Sequence, residues 1–220
     1  MQPKPSAGER SSPETAQAYP EYGASSLVRM AKYVALANEV KEELEYIRKM
    51  EPNGKSILKV AEGWYAASNK LQASIEFIDF AWYALDVKWN GDGYDSFEKY
   101  MRFNVTKVTE ANRDALFSAA NQLIDLYNDA VQGYNDAVEH MGAVLEKVSG
   151  IDPEKSTDGL SAILVQFVKN SMSRRSSLEK ALAAKQGKIA EIAGQVAQIR
   201  RPGEFPQDVI DRNKWSYDPK

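Results

Sequence analysis

The positions of the prolines constrain the fold of this chain more than any other feature of its sequence. A proline inside a helix removes a backbone hydrogen bond and collides with the preceding turn, so regular helices run between prolines. Most of the nine prolines lie near the two chain ends, and none occurs between residues 54 and 152 or between residues 154 and 201. These runs leave room for unusually long helices, and Pro52 and Pro153 mark the turns that separate them.

Apolar residues recur in these runs at alternating steps of three and four, the spacing of a helical seam. The spacing predicts helices over about 25–50, 56–89, 94–149 and 158–200, and no segment alternates as a strand would. We therefore expect an all-α fold, an elongated antiparallel helical hairpin or four-helix bundle with coiled-coil packing. The second helix has the clearest seam: Ile57, Ala61, Trp64, Ser68, Leu71, Ile75, Ile78, Trp82, Leu85 and Trp89.

Composition divides the chain into a body and two ends. Residues 1–23 are rich in proline, serine, glycine and charge, which predicts a disordered leader. Residues 24–200 are expected to form a single elongated helical domain. Residues 201–220 are expected to form an extended tail, whose Phe205 and Trp215 can pack back on the body.

The residue inventory excludes several kinds of chemistry. Lys and Arg total 28 against 31 for Asp and Glu, a formal net charge of -3, which argues against nucleic-acid binding and against a polybasic membrane anchor. The absence of cysteine removes disulfides, zinc–thiolate sites and thiol catalysis. The single histidine, His140, is interpreted as a solvated or half-buried side chain rather than a ligand or base. The sequence predicts no enzyme, no cofactor and no metal site.

Targeting signals are the next feature. The N-terminal residues contain no apolar core of the signal-peptide kind, and no stretch approaches the roughly 18 apolar residues needed to span a bilayer. We expect a protein that is made in the cytoplasm, does not insert stably into a membrane, and leaves the cell, if it is exported, without a cleavable signal.

The turn between the second and third predicted helices carries the strongest functional signal. It reads AWYALDVKWNGDGYDSFEKYM, so Trp89, Asn90 and Gly91 precede Tyr94 and Phe97 at helical spacing. This stretch resembles the WXG superfamily of type VII, or Esx-type, secretion substrates. Those proteins are helix–turn–helix hairpins with a Trp-x-Gly turn and an aromatic residue several positions downstream.

The resemblance covers about residues 57–145 and implies a non-enzymatic protein that acts through helix–helix association. The implied partners are a WXG-like helical protein, a secretion ATPase or a chaperone, or a second copy of the chain. Because the chain adds a first helix, a fourth helix and two tails, it is more similar to the longer, PE/PPE-type or secretion-associated substrates than to minimal hairpins. The family's export signal is Tyr-x-x-x-Asp/Glu after the second helix of a hairpin. The match here, Tyr94 to Glu98, lies beside the turn and is interpreted as accidental, so either a partner supplies the signal or the chain is not itself the exported, recognised subunit.

The residue types of the turn suit a tight reversal. Gly91 and Gly93 permit the positive φ that such a turn needs, and the Trp89 indole is expected to cover the open end of the seam. An alternative interpretation makes Trp89 a core tryptophan beside a glycine that caps the helix C-terminus.

Two alternative functions stay open, a structural coiled-coil scaffold or adaptor and the targeting half of a helical toxin. Helices one and four carry aliphatic stripes that favour association. At seam positions of helix four, Ser171, Arg174 and Lys185 indicate either that the helix leaves the core or that it meets another chain.

Overall fold

The fold is known from a computed structural model, which describes residues 9–86, 89–204, 206–214 and 216–217. Its long elements are helical, and two-residue strands form one antiparallel bridge, so the all-α prediction is confirmed. A π-helical stretch, Met101–Thr106, connects α4 to α5, and a 3-10 turn, Arg212–Lys214, follows α7. The helices and strands are α1 (Glu21–Lys32), α2 (Ala37–Lys49), α3 (Lys55–Asp86), β1 (Trp89–Asn90), α4 (Asp92–Tyr100), α5 (Lys107–Ser149), α6 (Thr157–Ala197), α7 (Gln207–Ile210) and β2 (Ser216–Tyr217).

The first predicted helix, about 25–50, is two helices in the structure. Ala35 has a φ of 58°, in the left-handed region, and terminates α1. The Leu36 N–H bonds back to the Ala31 carbonyl at 3.0 Å, and the Ala35 N–H bonds to the Lys32 carbonyl at 3.5 Å. These two bonds form a Schellman cap, which normally uses glycine at the left-handed position. Since neither glycine nor proline occurs there, the seam spacing could not reveal the break.

The third predicted helix, about 94–149, is also interrupted. The six-residue π-helical stretch separates the short α4 from α5, which then runs 43 residues, about 65 Å of helix. The ends of the second and fourth predicted helices differ by at most three residues from those of α3 (Lys55–Asp86) and α6 (Thr157–Ala197), whereas α1 begins four residues before the predicted start of the first helix.

The chain divides into two compact units, where the sequence predicts a single domain over 24–200. The first, the leader unit, comprises residues 12–57 and 124–189. The second, the turn unit, comprises the described residues within 1–11, 58–123 and 190–220. Helices α3, α5 and α6 each contribute residues to both.

The core of the leader unit is built from α1, α2, the later residues of α5 and the early residues of α6. The apolar stripe of the first predicted helix is buried in this core, so it is not the free association surface that the sequence suggested. At Gly54, before α3, a Cβ atom would collide with the ring of Tyr127, so the turn at this point needs glycine. The largest fully buried side chains of this core include Leu27, Val40, Tyr134, Met141, Val148, Leu160, Leu164 and Phe167.

The core of the turn unit is an antiparallel pairing of α3 with the residues that follow the Trp89 turn. The Tyr65 ring lies 5.4 Å from that of Phe117, and the Ser68 hydroxyl donates to the Arg113 carbonyl at 3.1 Å. Further along α3, the Trp82 ring lies 5.6 Å from that of Phe97. Increasing positions on α3 therefore meet decreasing positions on the returning chain, which is the register of a helical hairpin.

Of the leader that the sequence predicts to be disordered over 1–23, residues 1–8 lie outside the described residues. Residues 9–20 run as an extended segment that hydrogen-bonds to side chains of α5, and α1 already begins at Glu21. Composition predicts disorder because such a segment buries little apolar area, but polar side-chain partners hold its backbone instead. Among the helices of the described residues, none is long and apolar enough to cross a bilayer.

Candidate functional site

The Trp-x-Gly turn is a short strand followed by a helix start. Trp89 and Asn90 form β1, and Gly91 is the N-cap of α4, with its carbonyl accepting from the Asp95 N–H at 3.0 Å. Gly91 has the predicted positive φ, 95°, whereas Gly93 lies within the first turn of α4. The glycine interpreted as a C-terminal cap thus begins the next helix.

The C-terminal tail pairs with this turn. In the register of β1 and β2, Trp89 lies opposite Tyr217 and Asn90 opposite Ser216. A Cβ atom on Gly91 would lie 2.9 Å from the Lys214 carbonyl oxygen, so the tail backbone approaches closer than any side chain at this position allows. The predicted extended tail is therefore partly ordered against the turn, while Phe205 and Trp215 lie outside the described residues.

Two further contacts hold the tail within the turn unit. The Tyr100 hydroxyl donates to the Gly203 carbonyl at 3.0 Å. The Asn112 side chain bonds both main-chain groups of Arg200, accepting from its N–H at 3.1 Å and donating to its carbonyl at 2.8 Å.

The aromatic residues after the turn gather around Trp82 of α3. The rings of Tyr94 and Phe97 stack on it at 5.5 and 5.6 Å, and the Arg102 guanidinium lies 6.0 Å from its ring centre. Trp82 itself is half-buried rather than a core residue, because it closes the hairpin near its turn. Tyr94 and Phe97 therefore stabilise the hairpin behind the turn.

The predicted site residues differ in their access to solvent. Trp89 is half-buried, and Asn90 and Gly91 are exposed. Tyr94 is only 6% exposed, and Glu98 pairs with Arg102 at 2.7 Å. The Tyr94–Glu98 match to the export signal therefore does not present its tyrosine to a receptor.

Exposed aromatic side chains form a stripe on one face of α3, and the seam spacing did not predict it. Phe77, Phe80 and Tyr83 are 71%, 74% and 71% exposed, and their spacing places them on one helix face. Ala73 and Ala84 extend the same exposed face. The aromatic stripe is defined as these five residues. The heptad pattern identifies the opposite, buried face of α3. The sequence signal for the exposed face is the set of large aromatic residues that fall outside that pattern.

Asparagines at seven-residue spacing on α5, namely residues 121, 128 and 135, are a second feature absent from the sequence interpretation. In the leader unit, Asn128 accepts from the Glu14 N–H at 2.8 Å and donates to the Ser12 carbonyl at 2.9 Å. In the turn unit, Asn121 makes the same pair of bonds, with the Ser11 N–H at 2.9 Å and the Glu9 carbonyl at 3.2 Å. The regular spacing was visible in the sequence, but only the structure shows what the amides bond.

Ionisable groups are buried in the leader unit. Burial lowers the pKa of His140, and the positive charges of Arg174 and Lys147 lower it further. Burial raises the pKa of Glu43, with Arg175 opposing that shift. The Glu43 Oε2 and His140 Nε2 atoms are buried without a hydrogen-bond partner in the same recess. His140 is therefore a half-buried side chain, within the range that the sequence predicted, and its ring stacks on that of Phe167 at 5.8 Å.

The three polar seam residues of α6 have contacts within the leader unit. Arg174 donates to the Asp136 carbonyl at 2.9 Å, and Lys185 pairs with Asp129 at 3.3 Å. Ser171 is buried beside the Glu43 recess. Arg174 and Lys185 thus bind α5 of the same chain.

The turn unit also contains a groove of about 500 Å³ beside the start of α5. Its lining combines amide and aliphatic side chains with the two cations Lys107 and Arg200 and contains no carboxylate or histidine. In the part of the chain that the structure describes, no three carboxylate or histidine side chains come together as a metal site.

Comparison with known proteins finds no matching family model, no matching curated protein and no matching solved structure.

Proposed function

We propose that this chain is a WXG-like type VII secretion substrate, or the partner of one, and that it acts without catalysis through helix–helix association. The observation that carries the proposal is the position of Trp89-Asn90-Gly91 at the reversal of a two-helix hairpin in antiparallel register. This is the place that the motif occupies in the hairpins that the sequence resembles. Trp89, Asn90 and Gly91 are the proposed recognition element, and Tyr94 and Phe97 support it from behind.

The proposed association surface is the aromatic stripe of α3. Contiguous exposed aromatics are uncommon on monomeric proteins and are typical of protein-binding faces. A helix of a WXG-like partner, a secretion ATPase or a chaperone would bury Phe77 and Phe80 by packing its own apolar face against them. Export then follows a route that does not read a cleavable signal, and the partner supplies the signal that Tyr94 does not present.

A secretion assay tests this function. The tagged chain is expressed in its host and in a strain that lacks the secretion ATPase, and both medium and cells are probed. We expect wild-type chain in the medium of the host alone. Trp89→Ala is expected to stay in the cells although it folds, because Trp89 is half-buried at the end of the hairpin and its truncation removes less core than that of a fully buried residue. Tyr22→Ala, which truncates an 84% exposed aromatic in the leader unit, is the matched control and is expected to be exported.

Each outcome of the assay identifies one function. Equal retention of the wild-type chain in both strains favours the structural coiled-coil scaffold or adaptor. Export only after fusion to a catalytic segment favours the targeting half of a helical toxin. Export of Trp89→Ala at the wild-type level contradicts recognition through the turn.

A further inference from the structure

Two asparagines of the leader unit hold the extended leader by its main chain alone. The asparagine track is defined as Asn128 and Asn135. Asn135 accepts from the Gln17 N–H at 2.8 Å and donates to the Thr15 carbonyl at 3.4 Å. Asn128 makes the same pair of bonds three residues earlier in the leader. Because neither pair involves a leader side chain, the track recognises the backbone conformation of the leader and its register along α5.

The two repeats match in length. Seven residues of α-helix advance about 10.5 Å, and three residues of extended or polyproline chain advance about 9–10 Å. One asparagine per two helical turns can therefore meet one amide per three leader residues. Any polypeptide that is extended over this length, with a free N–H at every third residue, satisfies the same two asparagines.

The leader residues between the bonded groups complete the pattern. Pro13 lacks an N–H and occupies a position where the track needs none. Ala16, three residues on, is half-buried against the core of the leader unit. Tyr19, three residues further, donates its hydroxyl to the Leu44 carbonyl at 3.1 Å. The leader thus combines a backbone register with one aromatic anchor.

We propose that the asparagine track is a binding site for an extended polypeptide, and that the leader of a second copy of this chain is its other occupant. Reciprocal exchange of leaders would form the same hydrogen bonds between copies that the structure shows within one, which is the usual basis of segment swapping. The side chains of residues 12–15 are exposed, so release of the leader breaks few buried contacts. Pro20 directly precedes α1 and is the point from which the leader would swing. The proposal does not depend on the secretion function.

A variant that opens the track tests the site in the full chain. Glu14→Pro with Gln17→Pro removes the two N–H groups that the asparagines accept, while it keeps the leader extended. A fluorescent peptide of leader residues 9–20 is then titrated into the protein. We expect the peptide to bind this variant at least tenfold more tightly than it binds wild-type chain, whose own leader competes at high effective concentration. Further change of Asn128→Ala and Asn135→Ala is expected to weaken binding at least tenfold.

The matched control places the same prolines at positions that are not bonded through their N–H. Ser12→Pro with Thr15→Pro leaves both carbonyl acceptors in place, so the resident leader should stay bound and the peptide should bind as weakly as to wild type. Circular dichroism verifies equal helix content in all variants. The proposed site is contradicted if the Glu14→Pro, Gln17→Pro variant keeps its helix content but does not bind the peptide. It is also contradicted if the control variant binds the peptide equally well.

Exchange between copies tests the occupant. The chain has no cysteine, so Ala18→Cys in one sample and Gln132→Cys in another give single labelling sites on the leader and on α5. We expect energy transfer between the mixed samples that rises with concentration and is lost in the Asn128→Ala, Asn135→Ala background. Absence of transfer up to the highest soluble concentration, with peptide binding intact in the open variant, overturns the second copy and assigns the track to a segment of another protein.

Discussion

At the scale of single residues, Gly91 has two independent reasons to be glycine. Its φ of 95° and ψ of 172° lie in a region that side chains rarely adopt, and the Lys214 carbonyl leaves no space for a Cβ atom. We expect Gly91→Ala to lower the free energy of unfolding by about 1–3 kcal/mol, measured by urea denaturation. Gly63→Ala is the control, because no atom lies within 4 Å of its added Cβ on α3. That change should raise stability by about 0.5–1 kcal/mol. Stabilisation by both substitutions would contradict the assigned role of Gly91.

Glu43 is a second residue with a predicted effect. It is 5% exposed, its Oε2 atom lacks a hydrogen-bond partner, and burial raises its pKa above the ordinary 4.5. A carboxyl with a raised folded-state pKa contributes stability below its unfolded pKa and loses that contribution as pH rises through the folded pKa. Above its folded-state pKa, the ionised group is therefore a cost to stability. We expect Glu43→Gln to raise the free energy of unfolding at pH 7 by about 1 kcal/mol or more.

The pH dependence of this gain distinguishes Glu43 from an ordinary surface carboxylate. The gain should shrink as pH falls below the raised pKa, because wild-type Glu43 is then neutral in the folded state. Glu45→Gln removes an exposed carboxylate that pairs with Lys41 at 3.7 Å, and should change stability by less than about 0.5 kcal/mol at either pH. A constant gain for Glu43→Gln between pH 4 and pH 7 would contradict the raised pKa.

At the scale of elements, the junction between α1 and α2 depends on a strained residue. Ala35 adopts the left-handed conformation, which costs an alanine about 1–2 kcal/mol but does not strain a glycine. Part of the stability gained by glycine is lost again, because glycine has greater conformational freedom in the unfolded state. We therefore expect Ala35→Gly to stabilise the protein by about 0.5–1 kcal/mol in thermal or urea melts. Ala66→Gly, the same change at an exposed position inside α3, should destabilise it by a similar amount. Destabilisation by both would mean that α1 and α2 do not end as described.

The seam spacing predicted those helices whose apolar residues repeat at regular steps along a contact with a neighbouring helix. Residues 56–89 and 158–200 keep mostly apolar side chains at steps of three and four, so α3 and α6 were predictable to within a few residues. The break at Ala35 was not, because a Schellman cap formed by alanine has no distinctive sequence. The π-helical Met101–Thr106 inserts its extra residues without a proline or glycine, so it too leaves the spacing interpretable as one helix.

The conformation of the Trp-x-Gly turn was predictable from the sequence, but its surroundings were not, and its role as a recognition site stays a prediction. Trp89-Asn90-Gly91 is recognisable from three letters, and the positive φ of Gly91 follows from tight reversal. The pairing of β1 with β2 joins residues far apart in sequence through two-residue strands, which have no periodicity to detect. Burial of Tyr94 against Trp82 likewise depends on the hairpin register.

At the scale of the whole molecule, side-chain amides of α5 fasten segments from both chain ends. Asn112 bonds both main-chain groups of Arg200 in the turn unit, and Asn128 bonds the leader in the leader unit. Such bonds are exposed, and each contributes modestly to the stability of the segment that it holds. The two surfaces proposed for association differ in chemistry, since the asparagine track is polar and the aromatic stripe is apolar.

These two surfaces should respond to different substitutions. Without a partner, the exposed aromatic stripe is expected to drive weak self-association of the full chain, which sedimentation velocity detects as a rise in the average sedimentation coefficient with concentration. Phe77→Glu with Phe80→Glu should abolish that rise, because burying carboxylates in an apolar contact is unfavourable. Melting should change little, since both rings are already exposed.

Asn69→Glu with Ser74→Glu adds the same charge to exposed polar positions of α3 and should leave association intact, which separates loss of the apolar contact from charge repulsion. Energy transfer between labelled leaders and α5 should survive in the Phe77→Glu, Phe80→Glu variant, because the leader bonds lie on other residues. Conversely, Asn128→Ala with Asn135→Ala should remove the transfer and leave the stripe-dependent association. A sedimentation coefficient of the wild-type chain that does not change with concentration would contradict association through the stripe. Loss of both signals in either variant would show that the two associations depend on each other.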